Sequence, residues 1–241
     1  LAFIRRGEYI MVILSGGIYA AAPQTGFDSI EILDDKEEVE SAEIKANSNE
    51  TKSTAESVET SGEDVELQIS EIDSDVYTNK MFGLKFDAKS NNMTFVSKKE
   101  ANKNFYDTGK EESDITAVKE YLDKGKKFSD MYVTGEKGSV SVMIKKEENI
   151  KDTDTYANRA VVGIKQGMER MGMEVETQKG SGEFLGEIMP YVTVSATENG
   201  ETIYQKIVFL KVGNYVAEIT SYAESEEKAS ECIYMFTKLE E

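Results

Sequence analysis

From residue 77 onward the hydrophobic period of the chain changes repeatedly, and each change marks an element. Phe82, Leu84 and Phe86 alternate with Gly83 and Lys85, which predicts a half-buried strand from Met81 to Phe86. Met93 to Val96 reads as a short second strand. Ser97 precedes Glu100 at the capping-box offset and opens a helix with Ala101 and Phe105 inward. Ser113 opens another, with Ile115, Val118, Tyr121 and Leu122 on one face and Gly125 at its end. Met131 to Val133 and Ser139 to Ile144 read as a hairpin around residues 135–138. Between Tyr156 and Gly172 the period becomes helical, with Ala157, Val161, Ile164, Met168 and Met171 on one stripe.

Three long strands are predicted next, Ile188 to Thr197, Thr202 to Val212 and Tyr215 to Tyr222. Asn199-Gly200 joins the first two, and both residues accept the positive φ of a tight hairpin. A last helix is predicted from Ser225 to Leu239, with Ala229, Cys232, Ile233, Phe236 and Leu239 along one stripe. The pattern predicts an α+β domain over residues 77–241, with an antiparallel sheet of about six strands and helices packed against it. Its expected core is Phe82, Leu84, Phe86, Val142, Ile164, Met168, Val194, Ile207, Phe209, Ile219, Ile233 and Phe236, buried together.

The 76 residues before this domain follow different rules. Residues 23–76 are expected to form an acidic flexible linker. From Glu31 to Asp75 there are sixteen acids against three lysines, and residues 34–76 hold no aromatic side chain. Such a stretch buries too little apolar surface to offset its ordering entropy, and its carboxylates repel one another. Val65, Leu67, Ile69 and Ile72 alternate weakly, which allows a short strand there. Residues 1–22 read as a signal peptide or membrane anchor: Arg5 and Arg6 precede an apolar run that ends in Ala20-Ala21-Ala22. That run is shorter than the roughly 20 residues needed to span a bilayer as a helix.

Charge and residue inventory narrow the chemistry. The net charge is −18, but residues 77–241 carry 28 acids and 23 bases, so most of the excess lies outside the predicted domain. No basic footprint for nucleic acid appears; Lys124, Lys126, Lys127 and the pair Lys145, Lys146 are short runs on a mixed surface. The chain has no histidine and one cysteine, which removes Ser-His-Asp, Cys-His and His-metal arrangements and any intrachain disulfide. Cys232 lies on a predicted apolar stripe with no base to activate it, and reads as a small buried hydrophobe. Asp152 and Asp154 precede a helix and read as its N-cap and first-turn acids rather than a calcium loop. Asp73 and Asp75 lack the rest of such a loop. Gly180-Ser181-Gly182-Glu183 lacks the Lys-Ser/Thr of a phosphate loop, and Gly163 and Gly167 sit in a charged helix. No catalytic, cofactor-binding or metal-ligating residue is assigned, and no cofactor is expected. Tyr106, Tyr121, Tyr132, Tyr191, Tyr204 and Tyr222 are the aromatics able to line a carbohydrate or peptide groove.

Tyr77-x-Asn79-x-x-Phe82-Gly83-Leu84-x-Phe86 at the start of the domain, with the three-strand meander and closing helix from Tyr191 to Leu239, resembles the PsbP-like fold. Where such proteins often carry Pro-x-x-Trp, this chain has Asn91-Asn92-Met93. The resemblance implies the sheet and helices above and carries over no catalytic residue. The expected function is a non-catalytic binding or assembly module of a bacterial cell envelope, exported, with a protein or cell-wall polymer as partner. Attachment to a membrane is expected only through the N-terminal segment. The alternative is a carboxylate-dependent hydrolase acting on an envelope polymer.

Overall fold

The computed structural model describes residues 2–6, 9–14, 17–21 and 65–240. Strands β1 (Ala2–Arg6), β2 (Tyr9–Leu14) and β3 (Gly17–Ala21) pair in chain order as a three-stranded antiparallel sheet. The apolar run read as an export signal thus has a strand backbone in β2 and β3. Of the acidic linker expected over residues 23–76, residues 23–64 lie outside the described residues.

Alternation builds the first part of the domain: β4 (Glu71–Asp73), β5 (Val76–Asn79), β6 (Leu84–Asp87) and β7 (Met93–Phe95). Three short helices follow, α1 (Lys98–Ala101), α2 (Lys103–Tyr106) and α3 (Ile115–Asp123), then the hairpin β8 (Phe128–Gly135) and β9 (Gly138–Lys146). Helix α4 (Thr153–Arg170) leads into a four-strand meander, β10 (Glu174–Phe184), β11 (Glu187–Glu198), β12 (Glu201–Val212) and β13 (Tyr215–Ala223). Helix α5 (Glu226–Ile233) and β14 (Thr237–Lys238) end the fold. Helix starts follow capping chemistry: Ser97, Asp152 and Ser225 each accept a backbone N–H three residues on. Asp152 and Asp154 are the N-cap and first-turn acids of α4, as the sequence predicts. At α3 the cap is Asp114, one residue past the Ser113 expected, because its carboxylate reaches the Ala117 N–H.

The strands form two antiparallel sheets. The larger has seven strands in the order β10-β11-β12-β13-β9-β8-β7; the smaller has four, β14-β6-β5-β4. Elements pack on both faces of the large sheet, so its apolar residues divide into two cores. On one face Leu84, Phe86, Val142, Ile219, Ile233 and Phe236 join the small sheet, α3 and α5. On the other, Met168, Val194, Ile207 and Phe209 pack under α4, with Ile164 half-buried at the margin. The single common core expected from sequence is therefore two, because side chains alternate across a sheet packed on both sides.

Three boundaries also differ from the sequence reading. The strand β10 was not expected; its register with β11 runs from Glu174↔Thr197 to Phe184↔Glu187. Helix α5 stops at Ile233, and Phe236 then packs edge-on against Phe184 while Leu239 N–H bonds to Gly83 O. Packing extends ahead of Tyr77: Leu67 is 2% exposed, and β4 pairs with β5.

One buried carboxylate explains that early start. A register shift between Ser129 and Met131 gives β8 an extra residue, and Asp130 stands at that bulge, fully buried. Its Oδ1 accepts from the Ser70 N–H at 3.2 Å and the Ser70 hydroxyl at 2.8 Å. Its Oδ2 accepts from the Tyr77 hydroxyl at 2.7 Å and Asn79 Nδ2 at 2.8 Å. Lys98 Nζ lies 3.6 Å from Oδ1 and donates to the Ser70 hydroxyl at 2.8 Å. With both oxygens satisfied and a cation beside them, the charge is compensated, and the segment around Ser70 is tied to the large sheet.

Candidate functional site

The small sheet and α5 cover only part of their face of the large sheet. Beyond them the strands β10, β11 and β12 present cross-strand rows fixed by register. One row is Gln178, Thr193 and Lys206, ending at Ser221 on β13. The next is Glu176, Ser195 and Tyr204, and on the other side stands Gly180 beside Tyr191. Gln178 and Glu176 are exposed and Thr193, Ser195, Tyr191 and Tyr204 are half-buried, so this face offers hydroxyl, amide and aromatic groups.

Lys206 stands at the margin of that face, against α5, and is 7% exposed. Its ammonium lies 4.4 Å from the centroid of the Tyr191 ring and 4.9 Å from that of Tyr234. Two long hydrogen bonds hold it, each 3.4 Å, to the Ser230 and Tyr234 hydroxyls. Among the described residues no carboxylate pairs with it. Tyr191 can lie beside the lysine because β10 has no side chain beneath it: a Cβ at Gly180 would stand 2.5 Å from Tyr191 Cζ, and one at Gly182 3.3 Å from Cε1. Tyr234, on the turn after α5, is 55% exposed. Two aromatic rings and two hydroxyls thus enclose the ammonium, and the exposed part of the face offers the Gln178 amide and the Thr193 and Ser195 hydroxyls.

The opposite face carries a second polar group, under and beside α4. Glu218 accepts from the Tyr156 hydroxyl and from Lys127 Nζ at 2.7 Å. Burial and the Glu218 charge push the Tyr156 phenol far above its ordinary range. Further along β13 come Thr220 and Tyr222, opposite Ser141 and Gln205. The buried Tyr222 hydroxyl meets the Ser141 and Thr220 hydroxyls, and among the described residues Gln205 Nε2 is buried without a hydrogen-bond partner. Burial raises the Tyr222 phenol as well.

Of the six tyrosines picked out from sequence, the structure brings Tyr132 and Tyr222 to this second face and Tyr191 and Tyr204 to the open one. Tyr106 and Tyr121 instead stack edge-on against Phe105 at the margin of the first core. Cys232 is buried, as expected of a small hydrophobe, and burial raises its thiol pKa. Lys206 and Tyr234 were not singled out. The available signal was a lysine in phase with Val208 and Leu210, on what should be an inward stripe of β12. Among the described residues no group of three or more acids, cysteines and histidines could hold a metal ion, and no helix is long and apolar enough to cross a membrane. No protein-family model matches this chain, and no curated protein matches it.

Proposed function

We propose that the chain is an exported, non-catalytic binding module of a bacterial cell envelope, built on a PsbP-like domain, and that it recognises a protein or a cell-wall polymer. The observation that carries the reading is the exposed polar face of β10, β11 and β12 beside Lys206, a lysine held by aromatic rings and hydroxyls for which the described residues supply no carboxylate. Such a mixture suits recognition of a polar ligand and supplies no activated nucleophile. The absence of histidine from the whole sequence supports the same reading. The N-terminal Arg5-Arg6 and apolar run support export, and the acidic stretch would hold the domain away from the surface that bears it.

Co-sedimentation of the full chain with purified cell-wall polymer, and its binding to solubilised envelope proteins, tests this. The expected result is binding to one of the two, weakened by Tyr191→Ala or Tyr234→Ala, with no release of product. Hydrolysis of the polymer, abolished by Glu218→Gln in a folded protein, would establish the hydrolase instead.

A further inference from the structure

The large sheet ends on one side in a long strand. β10 spans 11 residues and pairs with β11 along its whole length without a register shift, yet among the described residues no strand pairs with its other side. The other edges of the two domain sheets are short: β7 and β4 have three residues each and β14 has two. A short edge gives another chain little to pair with, whereas a long regular one is a template for it. Two common protections are missing from β10, which has no proline and no bulge, and its lysine is turned aside: Lys179 Nζ is held by Asp154 and Asn158 of α4. We infer that β10 is a self-pairing edge, and that two copies of the chain join β10 to β10, antiparallel about a twofold axis at Gln178, into one continuous sheet. The inference is independent of what the open face binds.

The hairpin fixes which backbone groups face outward. Leu185 and Gly186 form its two-residue turn, with φ +55° and +85°, so Phe184 and Glu187 are a hydrogen-bonded pair. Alternate residues then point their N–H and C=O to β11, and Val175, Thr177, Lys179, Ser181 and Glu183 point theirs to the free edge. Ser181 stands opposite Pro190, which has no N–H to give it, in keeping with this phase. Paired antiparallel about Gln178, the edge complements itself. Thr177 faces Lys179, Val175 faces Ser181, Glu176 faces Gly180 and Glu174 faces Gly182. These pairs supply about eight hydrogen bonds between the chains. No like charges stand opposite one another, and Glu174 and Glu176 lie across from residues without a side chain. An axis one residue along, at Lys179, would set that ammonium against its own copy. Helix α4 adds to the edge. Val162, one turn on from Asn158, is 50% exposed on the side that reaches Lys179. A second copy places its own α4 on the same side of the joined sheet, where it can cover that apolar side chain. The row of Lys206, Thr193 and Gln178 would then continue through Gln178 into the same row of the second copy, doubling the open face.

The test uses the full chain at about 0.15 M salt, which screens its net charge of −18 beyond about 8 Å. Sedimentation equilibrium is expected to show monomer and dimer with a Kd of about 100 μM or tighter. Ser181→Pro removes an outward N–H and should weaken the dimer at least about tenfold. Oxidation of Gln178→Cys should cross-link two chains, because its symmetry mate stands directly opposite, while Glu176→Cys, opposite Gly180, should not; the native Cys232 is buried and does not compete. Amide exchange of the unaltered chain needs no variant. The N–H groups of Thr177, Lys179 and Ser181 should gain protection as chain concentration rises, and those of Gln178 and Gly180 should not change. If Ser181→Pro fails to fold by circular dichroism, exchange and cross-linking decide. A chain that stays monomeric up to about 1 mM, or a dimer in which the Thr177, Lys179 and Ser181 amides exchange independently of concentration, overturns the inference. Cross-linking through Glu176→Cys and not Gln178→Cys overturns the axis at Gln178.

Discussion

Two buried tyrosines show how differently one hydroxyl can contribute to the same fold. Tyr77 donates to the Asp130 carboxylate at 2.7 Å, whereas the buried Tyr222 hydroxyl meets only the neutral Ser141 and Thr220 hydroxyls. Tyr77→Phe should cost about 1.5–3 kcal/mol, the range for a bond to a charged group. Tyr222→Phe removes a hydroxyl held only by neutral groups and should change stability by no more than about 1 kcal/mol. Urea denaturation of the two variants measures both, and equal losses would mean that the hydroxyls are equally well satisfied. Alkali gives a second readout. Burial, before any charge, raises the phenols of Tyr77, Tyr156 and Tyr222 above their ordinary value of 10.0. Above that pH the unfolded chain gives up protons that the folded chain retains, so stability falls as pH rises, by up to about 1.4 kcal/mol per unit for each tyrosine. Below it these groups contribute no pH dependence. Urea midpoints at about pH 9 and about pH 11 should show the fall, with a shallower slope in Tyr77→Phe.

Among elements, two glycines in separate hairpins of the large sheet should respond differently to the same substitution. At Gly138, which opens β9 with φ +144°, a Cβ would stand 2.1 Å from the Tyr222 carbonyl oxygen. That oxygen belongs to a paired strand and cannot withdraw, so Gly138→Ala should destabilise by about 3 kcal/mol or more. At Gly180 the obstacle is the far end of the Tyr191 side chain, which can swing away. Gly180→Ala should therefore change stability by no more than about 1 kcal/mol while displacing the ring from Lys206. Thermal melts and the tyrosine ring resonances separate the two outcomes; a large stability loss at Gly180 would show that Tyr191 is locked in place. The same strand shows why β10 was not legible. One of its faces lies under α4, with Val175 packed there, and the other is the open face of Glu176, Gln178 and Gly180. Neither is apolar enough to print a period of two; pairing with β11 makes the strand.

For the molecule as a whole, the N-terminal edge of the domain has the largest consequence. A chain beginning at residue 65 keeps Leu67 in the first core and Ser70 on Asp130. A chain beginning at residue 77 loses both and leaves the Asp130 carboxylate with fewer donors. It should be less stable by about 3–5 kcal/mol, the cost of breaking a buried charged network. Limited proteolysis of the full chain should likewise trim it to near residue 65; a stable product starting at Tyr77 would show that the Ser70 tie is dispensable.

The elements with a strong period of their own were determined by sequence alone: α4 with its Asp152 cap, the Asn199-Gly200 turn, and the β11–β13 meander. Each depends on interactions between near neighbours, and periodicity reports those directly. The division of the core into two, the strand β10 and the burial of Leu67 were decided by tertiary structure, because each depends on which distant segment covers a face. Asp130 and Lys206 belong with these. An acid and a lysine among many are indistinguishable in sequence. Only the fold gives one of them four donors, and sets the other among aromatic rings.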